Sequence, residues 1–208
     1  MGVVRPKYDA LAAIYDARWA GYIRDSHNHV LGRVVLRPGD TLLDVGCGTG
    51  QMLEAVSRAW PGASGRDAPR LIGLDRSREM LMVARRRVHA GVHLIEGDAE
   101  RLPTASATVD VVVSTSAFHY VRDVSAALRE CRRVLRGGGR LVLTDWCADY
   151  WTVRALGAWC RRRDPAFSSI STTAEWDRLL TDAGFNEVRV ERYRLSWFWG
   201  MATATAVR

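Results

Sequence analysis

The stretch that decides the fold of this 208-residue chain is LDVGCGTG, at residues 43–50. Residues 41–45 predict a short strand and residues 51–60 a helix, so the three glycines lie on a strand-to-helix turn. Glycine lets the backbone of such a turn approach a ligand closely. The turn therefore predicts a binding site. Similar turns bind dinucleotide pyrophosphates, so the motif alone does not name the ligand.

Outward from this turn, predicted strands and helices alternate. Further strands are expected at 71–75, 92–95, 109–113 and 140–144, and further helices at 8–31, 78–89 and 124–135. Gly137, Gly138 and Gly139 are expected to stop the last of these helices before the fifth strand. This alternation is typical of a doubly wound α/β fold with a parallel sheet.

The end of the chain departs from that alternation. A helix is predicted at 173–183 with Gly184 as its stop, followed by a strand at 187–195 and a hairpin partner at 197–206. A hairpin that closes a parallel sheet makes the sheet mixed.

Composition places the chain among ordinary globular proteins, with 48% hydrophobic and 25% charged residues. No stretch approaches the roughly 20 apolar residues of a membrane span, and the N-terminus lacks the apolar region of a secretory signal. The four cysteines form no C-x-x-C pair, so neither disulfides nor a zinc site is expected, and no other metal site is predicted. A reducing cytoplasm is the expected location.

Asp75 is the second candidate site residue, because it ends the second predicted strand. A carboxylate at this point of a nucleotide-binding α/β fold accepts hydrogen bonds from ribose hydroxyls. It follows the glycines by more than the usual roughly 20 residues, because residues 61–69 look like an insertion.

Together these motifs resemble the class I S-adenosylmethionine-dependent methyltransferases, in particular the compact group that methylates small molecules. The resemblance covers nearly everything from Tyr8 to the end. Its marks are LDVGCGTG (43–50), GLDRSREML (73–81), EGDAERLP (96–103), VDVVVSTSAFHYVRD (109–123) and LRECRRVLRGGGRLVLTD (128–145). It implies one Rossmann-like domain over 1–208, with a helical lid in 1–36 and a core in 37–208. Its sheet would have seven strands in the order 3-2-1-4-5-7-6, strand 7 antiparallel, between two layers of helices.

The resemblance also implies the cofactor S-adenosylmethionine, its product S-adenosylhomocysteine, and a set of residues around them. Those expected around the methionine part are Asp44, Gly46, Cys47, Gly48 and Gly50. Asp75 would bind the ribose, Asp98 and Ala99 the adenine, and Ser114 and Thr115 would lie beneath the sulfonium. Relatives often pack an apolar residue on adenine where this chain has Arg76, and Met80 or the stem of Arg76 can take that place.

The predicted N-terminal helix is dense in aromatic residues, and two interpretations stay open for it. In one it is a lid, with Tyr15 and Trp19 against the cofactor and Arg18 near a carboxylate. In the other, these aromatics simply pack the helix on the core. His27 and His29 are expected on a solvated surface, because a spacing of two residues puts them on different helix faces.

Acceptor contacts are expected in the loops after strands 4 and 5, because ligands bind at the carboxyl ends of parallel strands. His119 is the candidate general base, with a structural histidine as the alternative. Asp145 is the candidate partner of His119 or of the acceptor. The other candidates for the acceptor wall are Tyr22, Phe118, Trp146 and Tyr150.

The function favoured by the sequence is methylation of a small molecule, with a role in specialised metabolism as one option. Methylation of RNA or another nucleic acid, or of a lipid quinone, is the alternative, and a non-catalytic cofactor-binding protein is a third reading. The net charge of +7 keeps nucleic acid in view. The end of the fourth strand, however, lacks the Asn/Asp-Pro-Pro-Tyr sequence of enzymes that methylate base amines, so specific nucleic-acid binding is not expected. A homodimer is one option for its quaternary structure.

Overall fold

A seven-stranded sheet forms the centre of the protein, whose computed structural model describes residues 14–59 and 67–208. The strands are β1 (Thr41–Val45), β2 (Arg70–Asp75), β3 (His93–Glu96), β4 (Val109–Thr115), β5 (Leu135–Trp146), β6 (Asn186–Arg194) and β7 (Gly200–Val207). Their order is β3-β2-β1-β4-β5-β7-β6, and only β7 runs antiparallel to its neighbours. The fold predicted from the sequence is confirmed.

The helices cover both faces of this sheet. They are α1 (Tyr15–Leu31), α2 (Gln51–Ala59), α3 (Arg78–Arg87), α4 (Val124–Val134), α5 (Trp151–Arg163) and α6 (Thr173–Asp182). One apolar core packs α1, α2 and α3 on the sheet, and the other packs α4 and α6 on the opposite face. All five residues of β1 are buried, as expected for a central strand covered on both faces.

Side-chain caps start several of these helices where the sequence predicts. The Ser77 hydroxyl accepts a hydrogen bond from the Met80 N–H (3.2 Å) and begins α3. Asp123 caps α4 in the same way, and Thr172 and Glu175 form a reciprocal capping box at α6. Gly184, at φ +87°, follows α6 as the expected stop.

The structure corrects the sequence prediction in three respects. First, Gly137–Gly139 do not separate a helix from a strand, because β5 already begins at Leu135, which pairs with Val109. The glycines instead form an irregularity within β5, where Gly138 donates to the Arg208 carbonyl and Arg208 donates to Gly139. Second, α5 was not predicted at all. Third, β7 begins at Gly200, so residues 197–199 belong to the preceding loop.

Parts of two predicted helices lie outside the residues that the structure describes. Residues 8–13 of the predicted first helix and Trp60 of the second lie outside the described ranges. Within those ranges, no helix is both long and apolar enough to cross a bilayer.

Candidate active site

The glycine turn between β1 and α2 has a backbone that only glycine adopts readily. Gly46, Gly48 and Gly50 have φ values of +77°, +52° and +79°. A Cβ on Gly46 would stand 2.4 Å from the Cβ of Ala117, so the turn approaches the loop after β4 closely. A Cβ on Gly48 would meet no described atom within 4 Å, so the turn is open on that side.

An open cleft lies beside this turn, at the carboxyl ends of β1, β2 and β4. Its empty volume, which includes space open to solvent, is about 730 Å³. Most of the predicted cofactor residues line it. They are Tyr15, Gly46, Gly48, Asp75, Arg76, Met80, Asp98, Ala99 and Thr115, together with the predicted acceptor residue Phe118.

Asp75 is held at the wall of the cleft by backbone hydrogen bonds. One carboxylate oxygen accepts from the Gly48 N–H at 2.8 Å, and the other accepts from the Ser77 N–H at 2.9 Å. These bonds orient the carboxylate, which lines the cleft. Asp98, on the same wall, pairs with Arg76 at 3.0 Å.

Asp44 lies beneath the turn and is fully buried. Neither of its carboxylate oxygens has a hydrogen-bond partner in the described part of the chain. Burial, with a further contribution from the nearby charge of Asp75, raises the pKa of Asp44 to about 8. A buried carboxyl without a partner is costly, so this position is ready to accept a hydrogen bond from a donor in the turn or in a ligand.

A second, polar cavity continues from the cleft, between α1 and the glycine turn. Its wall includes Tyr22, Cys47 and Ser116, and it shares Tyr15 and Thr115 with the cleft. Burial raises the pKa of Cys47 well above its ordinary value, which disfavours the reactive thiolate.

His27 also lines this second cavity, which corrects its expected place on a solvated surface. Its Nε2 lies 3.3 Å from the Thr115 hydroxyl, and burial lowers the pKa of His27 to about 4. His29 stacks on Tyr193 with ring centroids 3.6 Å apart. Both histidines are partly buried because α1 packs on the sheet, where it contacts β4 and β5. No cluster of three or more metal-binding side chains occurs among residues 14–59 and 67–208.

The first turn of α1 is tied to the glycine turn by Asp16, a residue that the sequence analysis did not single out. Its carboxylate accepts hydrogen bonds from Thr49 (2.6 Å), Gln51 (2.7 Å) and Arg87 (2.5 Å). Partial burial alone would raise the pKa of Asp16, but these hydrogen bonds outweigh it and lower that pKa. The only sequence signal for Asp16 is that it is an acidic residue next to Tyr15 in the first turn of α1.

The other end of the site is an aromatic wall, formed by Trp19, Tyr22, Trp146 and Trp199. The Tyr22 hydroxyl shares a hydrogen bond of 2.6 Å with Ser116 and accepts one of 3.0 Å from Trp146 Nε1. The ring of Trp199 is centred 5.1 Å from Tyr22 and 5.2 Å from Trp146. Among the described residues, Trp19 packs on Trp199 at 6.1 Å and lines neither cavity, and Arg18 lies over Trp19 and forms no ion pair with a carboxylate.

His119 and Asp145 meet, as the sequence predicted, but they do so behind this wall. His119 Nδ1 lies 2.6 Å from one Asp145 oxygen, and the His119 N–H donates to the other at 3.0 Å. The His119 ring stacks on Trp146 with centroids 4.3 Å apart. His119 is 4% exposed and Asp145 is 2% exposed, and neither is among the described residues that line the cleft or the second cavity.

Several other predicted site residues, Asp44 and Trp146 among them, also line neither cavity. Ser114 donates to the Val45 carbonyl (2.7 Å) and so joins β4 to β1. A Cβ on Gly50 would come within 3.1 Å of Ala84, so this glycine permits close packing of α3. Tyr150 packs against Gly200 and beneath Arg194, whose guanidinium is 4.3 Å from the ring centre.

Comparison with known proteins supports the predicted resemblance. Residues 43–143, about half of the chain, match the family described as "Methyltransferase domain". This match supports the predicted resemblance to the class I S-adenosylmethionine-dependent methyltransferases. The match begins at the glycine turn and extends into β5, so it contains the described cleft residues except Tyr15. This methyltransferase family uses S-adenosylmethionine as its cofactor.

Two curated relatives show how diverse the acceptors of similar methyltransferases are. The chain is 36% identical to a malonyl-[acyl-carrier protein] O-methyltransferase of Serratia marcescens, over 75% of this chain and 57% of that protein. It is 37% identical to a demethylmenaquinone methyltransferase of Symbiobacterium thermophilum, over 68% of this chain and 58% of that protein. The chain thus spans little more than half the length of these relatives.

A solved structure shares the fold over nearly the whole chain. It is a protein of Haloferax volcanii in complex with the Trm112 methyltransferase activator. The TM-score is 0.80, with 24% identity over 96% of each chain.

The residues of this cleft fit the cofactor of that family. The open side of Gly48 leaves room for a ligand beside the turn. Asp75 presents a carboxylate of the kind that ribose hydroxyls donate to, and the unpartnered oxygens of Asp44 lie beneath. The buried Met80 supplies an apolar surface on the same cleft.

Proposed function

We propose that this protein transfers a methyl group from S-adenosylmethionine to a small acceptor with an apolar or aromatic body. The observation that carries the proposal is the aromatic wall, which adjoins the two cavities through the shared hydrogen bond of Tyr22 and Ser116. A wall of indole and phenol rings favours a flat, apolar molecule that also offers one polar group to the Tyr22 hydroxyl.

In this proposal the cleft binds the cofactor through the residues predicted from the sequence. Asp75 binds the ribose hydroxyls, and Asp98 with the Ala99 backbone binds the adenine. The ion pair to Arg76 holds the Asp98 carboxylate in place, while Met80 and the stem of Arg76 pack on the ring. The cofactor supplies a methyl group that is already activated on a sulfonium.

The main contribution of the protein is then alignment. A displacement at an activated methyl group needs the acceptor atom in line and close, and holding it there accounts for most of the rate. Tyr22 and Ser116 are suited to orient the acceptor, because their hydroxyls meet at the edge of the second cavity.

His119 fits a positioning role better than the predicted role of a general base. Its ring is almost wholly buried, and the two hydrogen bonds to Asp145 fix it. Through its stacking on Trp146 it holds the indole whose Nε1 donates to Tyr22. We therefore infer that the pair His119–Asp145 acts on the acceptor through Trp146 and Tyr22.

A lipid-quinone acceptor is the second candidate, favoured by the same aromatic wall. A quinone ring is flat and carries polar oxygens at its edge, so one oxygen is suited to meet the Tyr22 hydroxyl, which lines the second cavity. The similarity to a demethylmenaquinone methyltransferase agrees with this candidate, and the similarity to a malonyl-[acyl-carrier protein] O-methyltransferase keeps a carboxylate acceptor open.

Two measurements test the proposal in order. Calorimetry should show binding of S-adenosylmethionine and none of a nicotinamide dinucleotide, with Asp75→Ala weakening binding by about 1–3 kcal/mol. Transfer of a labelled methyl group should then be measured to pools of small metabolites, to quinones and to RNA. Binding of the nicotinamide cofactor alone would refute the cofactor assignment, and label only in RNA would refute the small-molecule acceptor.

A further inference from the structure

Three of the most exposed hydrophobic side chains are tryptophans that the site does not use. Trp151, Trp159 and Trp197 are 66%, 57% and 76% exposed. Trp151 and Trp159 belong to α5, about two turns and 80° apart around the helix axis. Exposed Ala155 lies between them on this side of the helix, so both rings project from it.

The third tryptophan belongs to the β6–β7 loop, which is fastened to the first turn of α5. The Thr152 hydroxyl donates to the Phe198 carbonyl at 2.7 Å, and Arg194 donates to the Trp197 carbonyl at 2.6 Å. We call Trp151, Trp159 and Trp197 the tryptophan face.

The tryptophan face is surrounded by arginines that no carboxylate in the described residues pairs with. Arg154, Arg161, Arg162 and Arg163 are exposed on α5, and the sequence of this helix contains no acidic residue. None of the four arginines forms an ion pair with a carboxylate in the described part of the chain. Asp164, just after α5, is half-buried and accepts a hydrogen bond from Tyr120.

We propose that the tryptophan face binds the surface of an anionic phospholipid bilayer. Indole rings partition into the headgroup region of a membrane, and arginines beside them attract anionic lipids. A folded protein partner would need a separate pocket for each of three projecting rings, whereas a fluid interface accepts the rings wherever they stand. A basic helix with aromatic residues on its exposed side is typical of helices that lie on membranes.

The same loop connects this surface to the candidate acceptor site. Trp197 is two residues from Trp199, whose ring contacts Tyr22 and Trp146. If the proposed function holds, membrane binding therefore brings the acceptor wall next to the bilayer, where an apolar acceptor would be dissolved. The binding itself does not depend on methyl transfer.

Vesicle flotation tests this inference without any turnover. The full chain should float with vesicles of phosphatidylcholine mixed equally with phosphatidylglycerol, and much less with phosphatidylcholine alone. The triple variant Trp151→Ser, Trp159→Ser, Trp197→Ser should lower partitioning to the anionic vesicles at least about tenfold. The fourfold variant Arg154→Gln, Arg161→Gln, Arg162→Gln, Arg163→Gln should abolish the preference for anionic lipid.

A matched control uses α3, which also carries exposed arginines and an exposed apolar side chain. The control variant, Arg78→Gln, Met82→Ser, Arg86→Gln, should leave flotation unchanged. Thermal melting should show that all variants are folded. If the triple variant does not fold, Trp197→Ser alone replaces it. The inference is overturned if the wild type does not float with anionic vesicles, or if the control variant loses as much as the triple variant. Failure of flotation with intact S-adenosylmethionine binding would refute this inference and leave the proposed function standing. Capture of an acidic protein without any flotation would likewise overturn it.

Discussion

At the scale of single residues, the buried carboxyl of Asp44 makes the stability of the cofactor-free protein depend on pH. Its pKa is about 8 in the folded chain and about 3.9 when unfolded. Between these values the folded protein keeps a proton that the unfolded chain has released, so stability falls as pH rises. Asp44→Asn should flatten this fall and raise the free energy of unfolding at pH 8 by at least about 1 kcal/mol. Urea unfolding at pH 5 and pH 8 measures it, with exposed Asp182→Asn as the control. Equal slopes for Asp44→Asn and wild type would contradict the prediction.

A second prediction at this scale separates the two roles of His119. In a positioning role, His119→Gln should raise KM for the acceptor and lower kcat modestly, because the replacement still fills space beneath Trp146. A general base would instead cost roughly 10²–10⁴-fold in kcat and remove the acidic limb of the pH profile. Cofactor affinity, measured by calorimetry, should stay unchanged in either case. An unchanged KM with a large loss of kcat would restore the base assignment.

At the scale of elements, α1 is fastened at two points, Asp16 on the glycine turn and Tyr22 on the aromatic wall. Asp16→Ala removes the first point. The partly exposed ion pair between Asp16 and Arg87 contributes about 1 kcal/mol or less to the free energy of unfolding. The amides of the first two turns of α1 should exchange faster with solvent, and methyl transfer should fall more than global stability does. Asp25→Ala on the same helix, which breaks only an exposed pair with Arg24, is the control. Equal exchange in both variants would show that Asp16 does not fasten the helix.

At the scale of the whole molecule, the net charge of +7 should produce weak binding to nucleic acid, without sequence preference. Neutralised phosphates release counterions, so affinity for any RNA should fall linearly on a log–log plot as salt increases. Fluorescence anisotropy with two unrelated RNAs at several salt concentrations measures this. Tight binding that distinguishes the two RNAs at physiological salt would favour the nucleic-acid alternative.

Patterns that are local in the sequence were sufficient to predict the fold and most of the residues that line the cleft. The glycine turn, the carboxylate at the end of β2 and the cap at Ser77 each depend on a few neighbouring residues, and the structure has all three. The helix α5 escaped prediction because its sequence, WTVRALGAWCRRR, mixes tryptophan, glycine and arginine without a clear apolar repeat. The glycines of 137–139 belong to β5 because β4 pairs with this strand on both sides of them and Arg208 exchanges hydrogen bonds with Gly138 and Gly139.

By itself, the sequence determined the order of elements and the family, because backbone sterics and the periodicity of burial act over short distances. Only the tertiary structure decided which side chains face the ligand. Tyr22, Trp146 and Trp199 are in contact although Tyr22 lies more than a hundred residues from either tryptophan. His119 lies behind that wall, whereas its neighbour Phe118 lines the cleft. Such contacts depend on how α1 and the β6–β7 loop pack over the ends of β4 and β5, and no spacing along the chain encodes that packing.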